Sequence, residues 1–338
     1  MNESACVSDL CLYELDRHHW LMEHKGSLHG FTSDRGKLLL EQVADREDFK
    51  AHQRIPGHID ALAITNDNRL SLGQCINTYK PEPETVTDFA VDYARAFVER
   101  LFAMNLREVD VVRASPQVMP QSALGTVYSC GQKKHVVVVP DQSFDPFGVL
   151  VRQFAIAAHY TLMRSKQGIA AMMSDDLTQA MVGQYAVLSF AAENPGKCQV
   201  MRHLQFLVSW EFAKGLSKTP EMPMGFIASD LGEALMKAYG TGMFRAILQD
   251  LYESASHGQA IWFGSNNFTG TALALAFLGD DYGMRRFMEV DSGDRTLSEK
   301  LLEAFPGCVS DSFQWVQGRF NEVLSSIIKS AGDGADAA

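Results

Sequence analysis

The sequence predicts an α+β chain: a small N-terminal α/β part with a short sheet, then a mostly α-helical part. Three observations carry this. Two β-branched runs, Glu108–Val112 and Lys134–Val139, lie close together, and Pro140 stops the second. From Asp145 onward apolar residues recur at three- and four-residue intervals. The order, strands first and then a run of helices, sets the architecture.

The elements follow in order. Residues 1–80 form a mixed N-terminal region rich in His and charge. Within it, the alternation Ile59–Ile64, the polar stretch Thr65–Asn68 and then Leu70-Ser71-Leu72 predict a hairpin. Lys80-Pro81-Glu82-Pro83-Glu84 combines proline with charge and marks a domain boundary. Thr85 with Asp88 opens a helix bearing Phe89, Tyr93, Phe97 and Leu101 beside Ala90, Ala94, Val98 and Phe102. Pro116–Gly125 is a loop between the two predicted strands.

Asp145-Pro146 is an N-cap followed by proline at the first helical position. The helix it opens places Phe147, Leu150, Val151, Phe154, Ala158 and Leu162 on one face. Ser174-Asp175-Asp176 opens a second helix that runs through Phe190 and stops near Pro195-Gly196. Further helices are expected over 198–216, 229–255, 266–279, 282–290, 296–304 and 311–329. The main domain is thus 81–330, and the small polar stretch 331–338 is expected to be a disordered tail.

Composition narrows the function. The 338 residues carry 30 Lys+Arg against 41 Asp+Glu, a net charge of −11. That balance argues against nucleic acid as a partner, because phosphate neutralisation needs clustered cations. With 46% hydrophobic and 21% charged residues the chain can build a sizeable core. The six cysteines form no C-x-x-C pair and have irregular spacing, as expected of free thiols in a reducing compartment. No stretch reaches the roughly 18 apolar residues of a membrane span, so no membrane partner is expected. The first twenty residues lack a basic start followed by an apolar run. The expected location is the cytoplasm, with a secreted effector as the alternative.

The helical part holds a constellation of interest. Val149-Leu150-Val151-Arg152-Gln153-Phe154-Ala155-Ile156 follows the strand that ends at Pro140. Asp176-Leu177-Thr178-Gln179-Ala180 opens the next helix. Later come Asn267-Phe268-Thr269-Gly270, Asp281-Tyr282-Gly283, Ser292-Gly293-Asp294 and Phe305. Over roughly 86–306 this layout resembles the gluzincin metallopeptidases, the peptidase MA-like group. Their plan is a strand, a helix with V-L-x-H-E-x-x-H, a second helix carrying the third metal ligand, and a C-terminal Tyr-Gly segment. In that plan two His one turn apart share a zinc ion, and the Glu between them is the general base.

Here each such position departs. The resemblance puts Arg152 at the first His, Gln153 at the Glu, Ile156 at the second His and Gln179 at the third ligand. Phe268 falls near the place of an oxyanion-stabilising Tyr. Arg keeps its proton and cannot ligate zinc, Ile has no donor atom, and Gln cannot accept a proton at neutral pH. Shifting the register to use His159 fails too, because Ala155 and Ile156 then stand at the first ligand and the Glu. The resemblance therefore implies a pseudo-metallopeptidase with no metal and no cofactor. Its former cleft, lined by Arg152, Gln153, Ile156, His159, Gln179 and Phe268, would hold a peptide or protein partner, with Arg152 fixing a carboxylate. Two alternatives stand beside it. One is a non-zinc enzyme using Arg152 with His159 or His135. The other is an interaction protein of unrelated fold. Taken singly, Arg152, Gln153 and Gln179 also suit polar positions on otherwise buried amphipathic helices.

Other candidates read more plainly. His18, His19, His24 and His29 lack a regular face and are expected to be solvated or hydrogen-bonded. Cys130 and His135 lie five residues apart across a Gly turn, with nothing to make them converge. Tyr239-Gly240-Thr241-Gly242 lacks a preceding strand and a Lys-Ser/Thr, so it reads as a helix–helix turn and not a phosphate loop. Trp262–Asn267 is an aromatic, amide-rich approach to a helix that lines a pocket or caps the helix. The 15 Met residues read as core filler.

Overall fold

The computed structural model describes residues 3–33, 55, 59, 61–78, 81–166, 172–217, 224–256, 262–306 and 313–335. The fold is α+β and mostly helical. Its helices are α1 (Glu3–Glu23), α2 (Asn66–Thr78), α3 (Asp88–Phe102), α4 (Pro146–Met163), α5 (Asp176–Glu193) and α6 (Val200–Ser217). They continue with α7 (Met224–Ile227), α8 (Asp230–Ser256), α9 (Trp262–Ala276), α10 (Asp281–Val290), α11 (Leu297–Ala304) and α12 (Phe313–Ala335). The strands are β1 (Glu84–Thr85), β2 (Val109–Ala114), β3 (Thr126–Cys130), β4 (Lys134–Pro140) and β5 (Gln142–Ser143).

The main sheet has the order β2-β4-β3, with β2 parallel and β3 antiparallel to the central β4. Its valine run is explained by burial on both faces. Val136 and Val138 pack with Leu21 of α1, Val112 and Ala114. Val137 and Val139 face the opposite way, into the main core with Val149, Leu150 and Phe154 of α4. The sheet is thus a middle layer between α1 and α4. A two-residue antiparallel pairing of β1 with β5 closes the approach to α4.

Helix α4 is the centre of the helical part. Asp145 caps it by accepting from Gly148 N at 3.0 Å, and Pro146 takes the first turn. It is buried along nearly its whole length between the sheet, α3 and α5. Asp175 caps α5 in the same way, accepting from Thr178 N at 2.6 Å. Helix α9 lies against α5, α6 and α12 and completes the core. Among the described residues no helix is long and apolar enough to cross a membrane.

Several expectations are corrected. The predicted hairpin is absent: 66–78 is helix α2, which Thr65 begins by accepting from Arg69 N through its carbonyl. Its buried Leu72 and Ile76 stand one turn apart, a spacing masked by the preceding alternation. Residue Asp60 lies outside the described residues. The cap of α3 is Thr87, not Thr85, which pairs in β1. Phe89 is 64% exposed, so the buried face of α3 is Ala90, Val91, Ala94, Phe97, Val98 and Phe102. Helix α1 and strand β3 had no counterpart in the sequence reading.

The break near residue 80 does not separate two cores. Leu62, Ile64, Leu72 and Ile76 share one cluster with the later helices, and α2 packs on α8 and α12. Lys80 itself lies outside the described residues. Helix α12 extends to Ala335, through the first part of the expected tail, and 336–338 lie outside the described residues.

Candidate functional site

Arg152 sits in the middle of α4, 6% exposed. Its stem lies against Gly183 of α5, where a β-carbon would come within 2.9 Å of Arg152 Cγ. Its Nη2 donates to Asn267 Oδ1 of α9 at 3.1 Å, and among the described residues Nη1 has no partner and no carboxylate pairs with the guanidinium. Burial alone pulls the guanidinium from its usual 12.5 down to about 10, so it stays charged at neutral pH. On the same two helices, both amide atoms of Gln184 and the hydroxyl of Thr269 are buried and have no hydrogen-bond partner among the described residues. Buried polar groups are normally satisfied, so these atoms call for an explanation.

The other predicted cleft residues disperse. Gln153 donates through Nε2 to Leu124 O at 2.5 Å, toward the β2–β3 loop. Ile156 is a core residue. Gln179 accepts from Tyr160 Oη at 3.0 Å and lies two turns of α4 away from Arg152. The α5 residue that faces Arg152 is Gly183. Phe268 is buried, its ring tilted against Trp210 of α6 with centroids 6.0 Å apart. The six residues therefore do not line one open cleft.

His159 belongs to a separate buried ionic network. Its Nε2 lies 2.9 Å from Asp291 Oδ2 and 2.9 Å from Ser174 Oγ. Lys300 of α11 reaches Asp291 Oδ1 at 2.5 Å and Asp175 Oδ2 at 2.6 Å. Burial opposes the charge on Asp291, but His159 and Lys300 outweigh it and hold the carboxyl far below its usual value. Burial likewise opposes the Lys300 charge, and Asp175 and Asp291 overcome it to raise that amine. The network ties α4, the start of α5, the end of α10 and α11 together.

A third polar group surrounds the cap of α4. Asp145 Oδ2 meets His203 Nε2 of α6 at 2.8 Å and accepts from Cys198 Sγ at 3.4 Å. Burial opposes the Asp145 charge, yet His203, Gly148 N–H and Cys198 together lower its carboxyl. Burial drives the His203 imidazole down, with Arg152 and Arg202 adding to the effect against Asp145. The Cys198 thiol is pushed well up by burial and by Asp145. Among the described residues this is the one group whose potential metal-donor atoms all lie within 4.8 Å of one another.

An open groove of about 600 Å³ runs along α6, lined by Leu124, Phe144, Arg202, Gln205, Phe206 and Ser209. The Arg202 guanidinium stands 5.5 Å over the Phe144 ring and donates to Ser122 O at 2.6 Å. Two of its wall residues adjoin the buried groups: Phe144 precedes Asp145, and Arg202 precedes His203. Its Leu124 carbonyl is the acceptor for Gln153.

The remaining candidates stay apart. Cys130 pairs with Lys134, whereas His135 pairs with Ser129, so the thiol and the imidazole point to opposite faces of the hairpin. His135 is buried against Thr161, at 3.1 Å, and burial drives it from 6.5 to about 3. His18 bonds Asp110 at 2.8 Å, and His24 stacks on Trp20 at 3.7 Å. Gly240 breaks the helical backbone of α8 at φ 77°, as expected for a turn between helical pieces. Trp262–Asn267 is itself the first part of α9.

No family model, no curated protein and no solved structure matches the chain. The gluzincin resemblance thus rests on the sequence pattern alone. Sequence reasoning missed Asn267 and Gly183 as companions of Arg152, and Asp291 and Lys300 as companions of His159. Their separation along the chain gives no local signal. Cys198 and His203 straddle the start of α6, and only the N-cap role of Asp145 was visible.

Proposed function

We propose that the chain is a non-catalytic binding module on a zincin-like helical frame, and that it receives a carboxylate-bearing peptide segment of a partner protein. One observation carries the reading: Arg152 is a buried cation whose one described hydrogen-bond acceptor is a neutral amide. Lys300, the most deeply buried cation, is paired with Asp175 and Asp291, and half-buried Arg69 with Glu211, while buried Arg202 donates to the Ser122 carbonyl and lies over the Phe144 ring at the groove. An ion held out of water without a counter-charge costs several kcal/mol. A carboxylate reaching Nη1 would offset that cost and bond in the two-pronged geometry that guanidinium favours.

The groove along α6, which Arg152 does not line, is the described surface that could take the body of such a segment. Leu124, Phe144 and Phe206 offer apolar contacts, and Arg202, Gln205 and Ser209 offer polar ones. Its volume lies in the range of ligand sites, about 300–1,000 Å³. His159 is committed to Asp291 and Ser174, which favours binding over acid–base chemistry at that residue. The zincin-like frame is carried by the sequence resemblance alone, in which the residues at the metal positions offer no ligand set.

The test is affinity selection by the full-length protein from a random peptide library with free C-termini, run beside the same library amidated. Enrichment confined to free carboxylates is expected. Equal recovery from both libraries contradicts the reading.

A further inference from the structure

The polar group at the cap of α4 has the features of a metal site. Its three side chains offer an oxygen, an imidazole nitrogen and a sulfur, a donor set suited to zinc. They come from two elements, the residue before α4 and the segment that enters α6, so the fold and not local sequence brings them together. Asp145 divides its carboxylate. Oδ1 caps the helix through Gly148 N, and Oδ2 is the atom that both His203 and Cys198 approach.

We infer that Asp145, Cys198 and His203 form a zinc-binding site through Oδ2, Sγ and Nε2. Donors held about 2.0–2.3 Å from a tetrahedral zinc lie roughly 3.3–3.6 Å from each other. The Sγ to Oδ2 distance is already 3.4 Å, and the Nε2 to Oδ2 distance of 2.8 Å needs only a small opening. Gly148 keeps this volume clear: a β-carbon there would collide with Asp145 Oδ2 and lie 2.6 Å from His203 Nε2. The site is independent of the Arg152 reading, and neither stands or falls with the other.

The proton balance is simple. Binding requires a thiolate, so Cys198 releases one proton per zinc ion. His203 stays neutral, its ring proton passing from Nε2 to Nδ1, which has no partner among the described residues. Asp145 binds as the carboxylate it already is. Affinity should therefore rise about tenfold per pH unit below the thiol's titration.

The experiment titrates the chelator-treated, full-length protein with Co²⁺ and then Zn²⁺. One Co²⁺ per chain is expected, with a thiolate-to-metal charge-transfer band that Zn²⁺ abolishes by displacement. Cys198→Ser should lose the band and weaken zinc by about 100-fold or more, beyond the 10–100-fold typical of residues outside the coordination sphere. Cys130→Ser, at a buried thiol elsewhere, should keep the band. A measurement on the unaltered protein guards against a variant that fails to fold: zinc should protect Cys198 from alkylation, read by peptide mass mapping, and leave the exposed Cys11 reactive. Absence of stoichiometric metal, a band that survives Cys198→Ser, or alkylation of Cys198 unchanged by zinc overturns the inference.

Discussion

Arg152 and Asn267 meet across the contact of α4 with α9 at 3.1 Å, and that amide oxygen is the one hydrogen-bond acceptor the guanidinium has among the described residues. The drop from 12.5 to about 10 corresponds to about 3 kcal/mol of instability at neutral pH. Arg152→Met keeps much of the volume and removes the charge. The variant is expected to be more stable than the parent by about 1–3 kcal/mol in urea unfolding, as seen when buried unpaired charge gives way to apolar packing. A loss of stability would mean that the guanidinium already has what it needs.

The neighbouring glycine constrains the same contact. Gly183→Ala places a methyl group 2.9 Å from Arg152 Cγ, too close to accept without movement of α5 against α4. The expected loss is about 1–3 kcal/mol by denaturant unfolding, the usual cost of overpacking. In the Arg152→Met background the loss should differ, because the two positions touch.

His135 makes stability depend on pH. Its folded value of about 3 lies below the ordinary 6.5, so between those limits the unfolded chain binds a proton that the folded chain does not. Stability is full above about pH 6.5 and falls as the pH drops toward 3. His135→Leu should flatten the urea-midpoint profile across that window. A profile unchanged by the substitution would show that His135 accepts a proton in the folded state.

Lys300 tests the buried ionic network. It bridges Asp175 and Asp291, and His159 occupies the other oxygen of Asp291. Lys300→Ala leaves the buried Asp291 carboxylate and the half-buried Asp175 without their shared cation, and a loss of about 3–5 kcal/mol is expected. Asp291, whose carboxyl is lowered in the folded chain, contributes stability above the usual carboxylate range and loses it as acid protonates it. Asp291→Asn should therefore remove part of the acid sensitivity below about pH 4.

Much of the helical part was legible because its apolar residues repeat at helical spacing and its caps are explicit. Asp145, Asp175 and Pro146 mark two helix starts that the structure keeps. Helix α1 was illegible for a physical reason: its inward positions include Glu14 and His18, satisfied by Arg164 and Asp110 from distant segments. Strand β3 was hidden because Thr126–Cys130 mixes polar and apolar residues and gains its place by pairing with β4. At the candidate site, single residues could be named from sequence, but not their company. Gln179 was grouped with Arg152 by pattern, whereas helix packing sets it against Tyr160 and brings Gly183 to Arg152.

The central claim is that Arg152 waits for a carboxylate. Its most direct test is titration calorimetry with the most enriched peptide from the selection, as free acid and as amide, against the parent and Arg152→Met. The account predicts binding of the free acid to the parent, and weakening by about 10- to 100-fold when either the carboxylate or the guanidinium is removed, the worth of a charged hydrogen-bond pair. Removing both should cost little more than removing one. Equal affinity of acid and amide for the parent, or unchanged affinity in Arg152→Met, would contradict it.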